Sequence, residues 1–109
     1  MTTKLPVLIF FHGGGFETGS GNINNPSALI RIGKQYNQPV MVVRINYRLG
    51  LFGFLASSRL ESAINGKITN AGLNLGFRDM TRATLWVQEH IDAFGGDASR
   101  MTIWGQSAG

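Results

Sequence analysis

The chain has 109 residues, 43% of them hydrophobic and only 15% charged, with a net charge of +4 and no cysteine. That apolar share is enough to build a core and excludes a disordered segment, while ten Lys and Arg scattered singly from Lys4 to Arg100 make no basic stripe, which argues against nucleic acid as a partner and gives no indication of membrane association. The absence of cysteine excludes a disulfide framework, a Cys-rich zinc site and a thiol nucleophile, and so small a charged share suits a piece of a larger domain better than a free-standing small one.

The first element is the apolar run Leu5–Phe11, rich in β-branched residues and ended by glycines, the pattern of a strand buried on both faces in a parallel sheet. "KLPVLIFF" superficially resembles a signal-peptide core, but it leads into "HGGGF" rather than a small-residue cleavage site, and no run reaches membrane-spanning length. Ser27–Tyr36 is a helix candidate, with Pro26 near its start and Pro39 beyond its end. Val40–Tyr47 is a second apolar, β-branched run, so the first three elements make a strand–helix–strand crossover.

Leu49–Leu73 reads as a turn and surface excursion, rich in Gly, Ser and Asn. From Leu75 to Phe94, Met80, Ala83, Val87, Ile91 and Phe94 recur at steps of three and four, making the apolar stripe of a long helix that Gly95 and Gly96 end. Met101–Trp104 follows as a short third strand. The order implies an α/β fold with a mostly parallel sheet and crossover helices.

The pentapeptide Gly105-Gln106-Ser107-Ala108-Gly109 directly follows this third strand. A nucleophile elbow requires a strand to run into a helix through a very tight turn, with glycines flanking a serine held in a strained conformation. In a chain with 15 glycines the pentapeptide alone is a weak signal, and its place after a strand strengthens it. "HGGGF", His12 to Phe16, follows the first strand in the same way. Consecutive glycines let backbone N–H groups approach the carbonyl oxygen on which acyl transfer develops charge. A phosphate loop fails as an alternative, because neither Gly33-Lys34-Gln35 nor Gly66-Lys67-Ile68 has the required Ser or Thr after Lys. Two loops at the C-terminal ends of strands in an open α/β sheet fit one site.

The stretches "LPVLIFFHGGGFETGS", "VVRINYRLGLFGFLAS" and "NAGLNLGFRDMTRATLWVQEHIDAFGGDASRMTIWGQSAG" resemble the type B carboxylesterases, the cholinesterase-like branch of the α/β-hydrolases, in order and spacing. The resemblance implies a partial α/β-hydrolase fold, with residues 1–109 a fragment of a single domain incomplete at both ends. It makes Ser107 the acyl-accepting nucleophile and Gly14, Gly15 and Ala108 the oxyanion donors. It implies a small-molecule or lipid ester as substrate and no cofactor or metal. In α/β-hydrolases an acid and a histidine follow the serine in the chain, so both would lie beyond Gly109 and the isolated chain is expected to be inactive. A hormone-sensitive-lipase-like esterase, a non-catalytic remnant and a cholinesterase-like interaction module remain alternatives.

Neither histidine matches the triad base. In the family pattern His12 belongs to the glycine loop in a structural role, and His90 reads as a surface or packing residue of the long helix. Asp97 reads as a turn-capping residue, Asp79 with Arg82 and Glu89 with Asp92 as helix-surface spacings, and Trp86 and Trp104 as core. Arg48 is expected, from its setting in the family, to belong to an internal ion pair.

Overall fold

In the computed structural model, which describes residues 3–60, 63–64, 67–68 and 72–109, the apolar run becomes strand β1 (Leu5–Phe11) at the centre of a sheet of three parallel strands. Helix α1 (Ser27–Gln35) leads to β2 (Met41–Ile45), paired to β1 from Val7↔Met41 to Phe11↔Ile45. A short helix α2 (Gly50–Phe54) follows, then a two-residue antiparallel pair, β3 (Ala63–Ile64) with β4 (Lys67–Ile68). Helix α3 (Leu75–His90) tightens into a 3₁₀ turn at Ile91–Phe94 and is followed by β5 (Gly96–Gly105), which pairs with the other edge of β1.

Strand alternation explains the core. Val7, Ile9 and Phe11 of β1 are buried with Ile45 and Tyr47 against Val87 and Ile91, and Met80 and Ala83 of the α3 stripe pack on this cluster. Phe94 is 64% exposed, because the 3₁₀ turn carries the chain off the stripe before it is reached. On the other face of the sheet Phe10 rests against Trp104, ring centroids 4.8 Å apart, and α1 buries none of its residues. At the start of α1, Asn25 Oδ1 accepts hydrogen bonds from Ser27 N–H and Oγ at 2.9 and 2.6 Å, so the turn before the helix is held by an Asx side chain.

Several expectations change in detail. β5 begins five residues before the anticipated Met101, its register shifting between Leu5 and Val7 of β1. Asp97 holds this first part, accepting from Ser99 N–H, Ser99 Oγ and Arg100 Nε at 2.9, 2.6 and 2.6 Å. The surface excursion contains α2, tied down by the hydrogen bond from Gly50 N–H to the Phe16 carbonyl at 2.6 Å and by the packing of Phe54 on Phe16 and Phe77. Much of the remaining excursion, with Gly66 of the rejected phosphate-loop reading, lies outside the described residues. Trp86 and Trp104 are 52% and 45% exposed rather than core, since they face away from the α3–sheet interface.

Candidate active site

The parallel register decides what meets at the top of the sheet. Phe11, the last residue of β1, pairs with Gly105, the last of β5, so His12–Gly15 and Gln106–Ala108 leave the sheet side by side. Their closeness is measured by what a side chain on Gly13 would touch: its Cβ would stand 2.6 Å from the Gln106 carbonyl oxygen and 3.0 Å from Ser107 Cβ.

Ser107 has φ +57°, a left-handed conformation that costs a non-glycine residue about 1 kcal/mol or more. The flanking glycines are required by space. A Cβ on Gly105 would collide with the Gly109 carbonyl carbon, and one on Gly109 would collide with the Phe11 carbonyl oxygen. The Gly109 N–H to Gln106 carbonyl hydrogen bond at 3.0 Å closes the turn around the serine. Ser107 Oγ makes no hydrogen bond with any of the described residues.

Across from it, Gly14 and Gly15 have φ +120° and +64°. The Gly14 carbonyl accepts from Glu17 N–H, Thr18 N–H and Thr18 Oγ1 at 3.1, 3.0 and 3.2 Å, which folds the loop back on itself. Among the described residues, the N–H groups of Gly14, Gly15 and Ala108 find no acceptor. The loop therefore presents backbone donors beside a serine hydroxyl, a combination suited to stabilising an oxyanion.

The histidines are placed elsewhere. His12 is 2% exposed, with Nδ1 2.7 Å from the Gly13 carbonyl oxygen, its ring stacked on Tyr47 at 4.5 Å and its own carbonyl accepting the Tyr47 hydroxyl at 2.6 Å. Burial pushes the Tyr47 phenol above its ordinary pKa, keeping it a donor. His90 lies on the surface of α3, stacked on Trp86 at 4.6 Å with Nδ1 2.8 Å from the Trp86 carbonyl oxygen.

The residues after β2 brace the site. Asn46 Oδ1 accepts from Gly21 N–H at 2.9 Å and Ser20 Oγ at 3.4 Å. Arg48 donates to Asp79 through Nε and Nη2, both at 2.7 Å, and through its backbone N–H at 3.0 Å. Asp79 is therefore the partner of Arg48 across the fold, not a helix-surface partner of Arg82, and the guanidinium hydrogen bonds hold its carboxyl below the usual Asp range. Asp97 is held at about 2 by the Ser99 hydroxyl first and Arg100 second. Sequence reasoning singled out Arg48 but passed over Asn46, Tyr47 and Thr18; Asn46 and Tyr47 lie in the quoted "INYRLG", where adjacency to Arg48 was the available signal.

Comparison with known proteins places these features in a wider setting. The sequence pattern described as "Carboxylesterase family" matches residues 1–109. The chain is 45% identical over 107 residues to carboxylesterase 5A of Ovis aries, covering 98% of this chain and 24% of that one. It is 38% identical over 106 residues to the secreted triacylglycerol lipase LIP1 of Gibberella zeae, covering 97% and 17%. Among solved structures, the Geobacillus stearothermophilus carboxylesterase is similar with a TM-score of 0.77 and 40% identity over the whole chain, which covers 21% of it. The chain thus spans no more than a quarter of the length of these relatives.

Proposed function

The chain belongs to the carboxylesterase family, and on that premise we propose that it is part of a serine hydrolase that cleaves carboxylic esters through an acyl-serine intermediate. In this reading Ser107 Oγ adds to the ester carbonyl carbon while its proton passes to a histidine steadied by an acid, both supplied by segments other than residues 1–109. The carbonyl oxygen, now carrying negative charge, is held by the N–H groups of Gly14, Gly15 and Ala108. Collapse of this intermediate expels the alcohol, which takes up the proton and leaves Ser107 acylated. Water then attacks the acyl carbon, its proton going to the same histidine, and the acid is released with the serine restored.

The observation that carries the reading is the left-handed Ser107 at the end of β5 beside a glycine loop whose Gly14 and Gly15 N–H groups have no acceptor among the described residues. The strain at Ser107 fits a reactive position, since such conformations persist where the surroundings enforce them. The names of the relatives, an esterase and a triacylglycerol lipase, support small-molecule or lipid esters as the substrate class.

The test uses the intact polypeptide that carries this chain, treated with a fluorophosphonate and digested for mass spectrometry. The phosphonyl group is expected on the peptide containing Ser107, with p-nitrophenyl ester hydrolysis lost in step with labelling. Hydrolysis that persists at the wild-type rate in Ser107→Ala would overturn the proposal.

A further inference from the structure

The conformation of the His12–Gly15 loop is governed by its carbonyls. A peptide unit is planar and trans, so its N–H points opposite to the C=O of the preceding residue. Fixing three successive carbonyls therefore aims three successive N–H groups. The His12 carbonyl is held by the Tyr47 hydroxyl at 2.6 Å, which sets the Gly13 N–H. The Gly13 carbonyl lies 2.7 Å from His12 Nδ1 and, as a carbonyl oxygen can only accept, is held by the tautomer protonated at that nitrogen, which sets the Gly14 N–H. The Gly14 carbonyl is held by Glu17 N–H, Thr18 N–H and Thr18 Oγ1, and this sets the Gly15 N–H.

Glycine is the residue least able to hold a conformation by itself, so three glycines in a row need this external restraint. Tyr47 acts twice within it. Its hydroxyl fixes the first carbonyl, and its ring, stacked on His12 with 15° between planes, holds the imidazole in position to fix the second. Tyr47 is itself 6% exposed and part of the core cluster, which anchors it. Its neighbour Asn46 holds the far end of the loop at Ser20 and Gly21.

We propose that Tyr47 is a positioning residue for ester hydrolysis: with His12 it forms a clamp that fixes the Gly13 peptide and through it aims the Gly14 N–H at the oxyanion, while the Thr18 fold-back aims that of Gly15, and it does so without touching substrate. The inference rests on the serine-hydrolase reading above and adds a residue to it.

The experiment is Tyr47→Phe in the intact polypeptide, which keeps the ring on His12 and removes only the hydroxyl. We expect kcat for a p-nitrophenyl ester to fall about 10–100-fold, the scale set by small misplacements in an active site. KM should stay within about twofold, because the clamp serves the charged intermediate rather than the neutral ester. Affinity for a trifluoromethyl ketone, which mimics the tetrahedral intermediate, should fall in proportion to kcat/KM. Thr18→Val, at an exposed position where misfolding is not at issue, removes one of three donors to the Gly14 carbonyl and should lower kcat a few-fold in the same pattern.

Ser107→Ala run in parallel separates the two claims. If it retains activity, the serine reading itself fails. If it is inactive while Tyr47→Phe and Thr18→Val keep wild-type kcat and ketone affinity, the serine reading stands and the clamp is refuted. A change confined to thermal stability, or a rise in KM with unchanged kcat, would also refute it.

Discussion

Gly14 and Gly15 are adjacent and chemically identical, yet the geometry separates them sharply. A Cβ on Gly14 would overlap the Thr18 carbonyl oxygen and stand 2.7 Å from its carbon and 2.9 Å from Thr18 Oγ1. Backbone cannot yield there as a flexible side chain could, and φ +120° is nearly closed to L-residues. Gly14→Ala thus combines strain of about 1–3 kcal/mol with loss of the fold-back that aims the Gly15 N–H. Misplacing one oxyanion donor costs about 10²–10³ in kcat, and that is the fall we expect. Around Gly15 nothing lies within 4 Å of an added Cβ, so Gly15→Ala meets only the left-handed penalty at φ +64°, about 1–2 kcal/mol, and keeps its N–H. Its kcat should drop by about tenfold or less, because the penalty is carried by both free enzyme and intermediate. The assay is kcat on p-nitrophenyl acetate with the intact polypeptide, alongside thermal melts to establish folding. Equal losses in the two variants, or a larger loss at Gly15, would refute the assignment of the loop's conformation to the Gly14 fold-back.

Ser107 stores strain of its own, so Ser107→Gly should melt higher than the equally inactive Ser107→Ala, by about 1 kcal/mol in unfolding experiments; equal stability would mean that the left-handed turn is not strained. Asp97 is held at about 2 when folded and titrates near 3.9 when unfolded, so its stabilisation is complete above ~3.9 and disappears as pH falls towards 2. Asp79, also depressed, shifts the same way. The gap in melting temperature between wild type and Asp97→Asn should therefore close between about pH 5 and pH 2, and a gap independent of pH would contradict this. The isolated chain of residues 1–109 should bind 8-anilinonaphthalene sulfonate, self-associate with rising concentration and hydrolyse no ester, since Trp86, Ile103 and Trp104 are largely exposed and β2 and β5 each pair on one side only among the described residues.

The central strand was fully legible, because seven consecutive apolar residues between a lysine and a glycine loop admit little else. The α3 stripe was legible to Ile91, but no periodicity announces that the last turn tightens and releases Phe94. Helix α2 was missed because "GLFGF" has two glycines and too short a span for a 3.6-residue pattern; it exists through Phe16, Phe54 and Phe77, which pack from three separate segments. The two tryptophans were misread as core because hydrophobicity tells which side chains seek cover, not which element supplies it. The loop sequences marked the glycines and Ser107 directly. Arg48 was expected in an ion pair, but its partner and that of the Tyr47 hydroxyl could not be read, since they lie 31 and 35 residues away.

The strand order β2-β1-β5 also sets when the site can come into being. β1 is made first and acquires β2 after one helix, but its second neighbour begins about 85 positions later. Pairings of such long sequence separation close slowly, and at about 5–20 residues per second a ribosome needs roughly 4–17 s to deliver β5 after β1. Throughout that interval one edge of the most apolar strand is bare and the serine is not yet synthesised. Chaperone dependence during synthesis should therefore concentrate on nascent chains that have passed β2 and not reached β5, and lengthening the α2–α3 segment should worsen aggregation even where it leaves the finished fold unchanged.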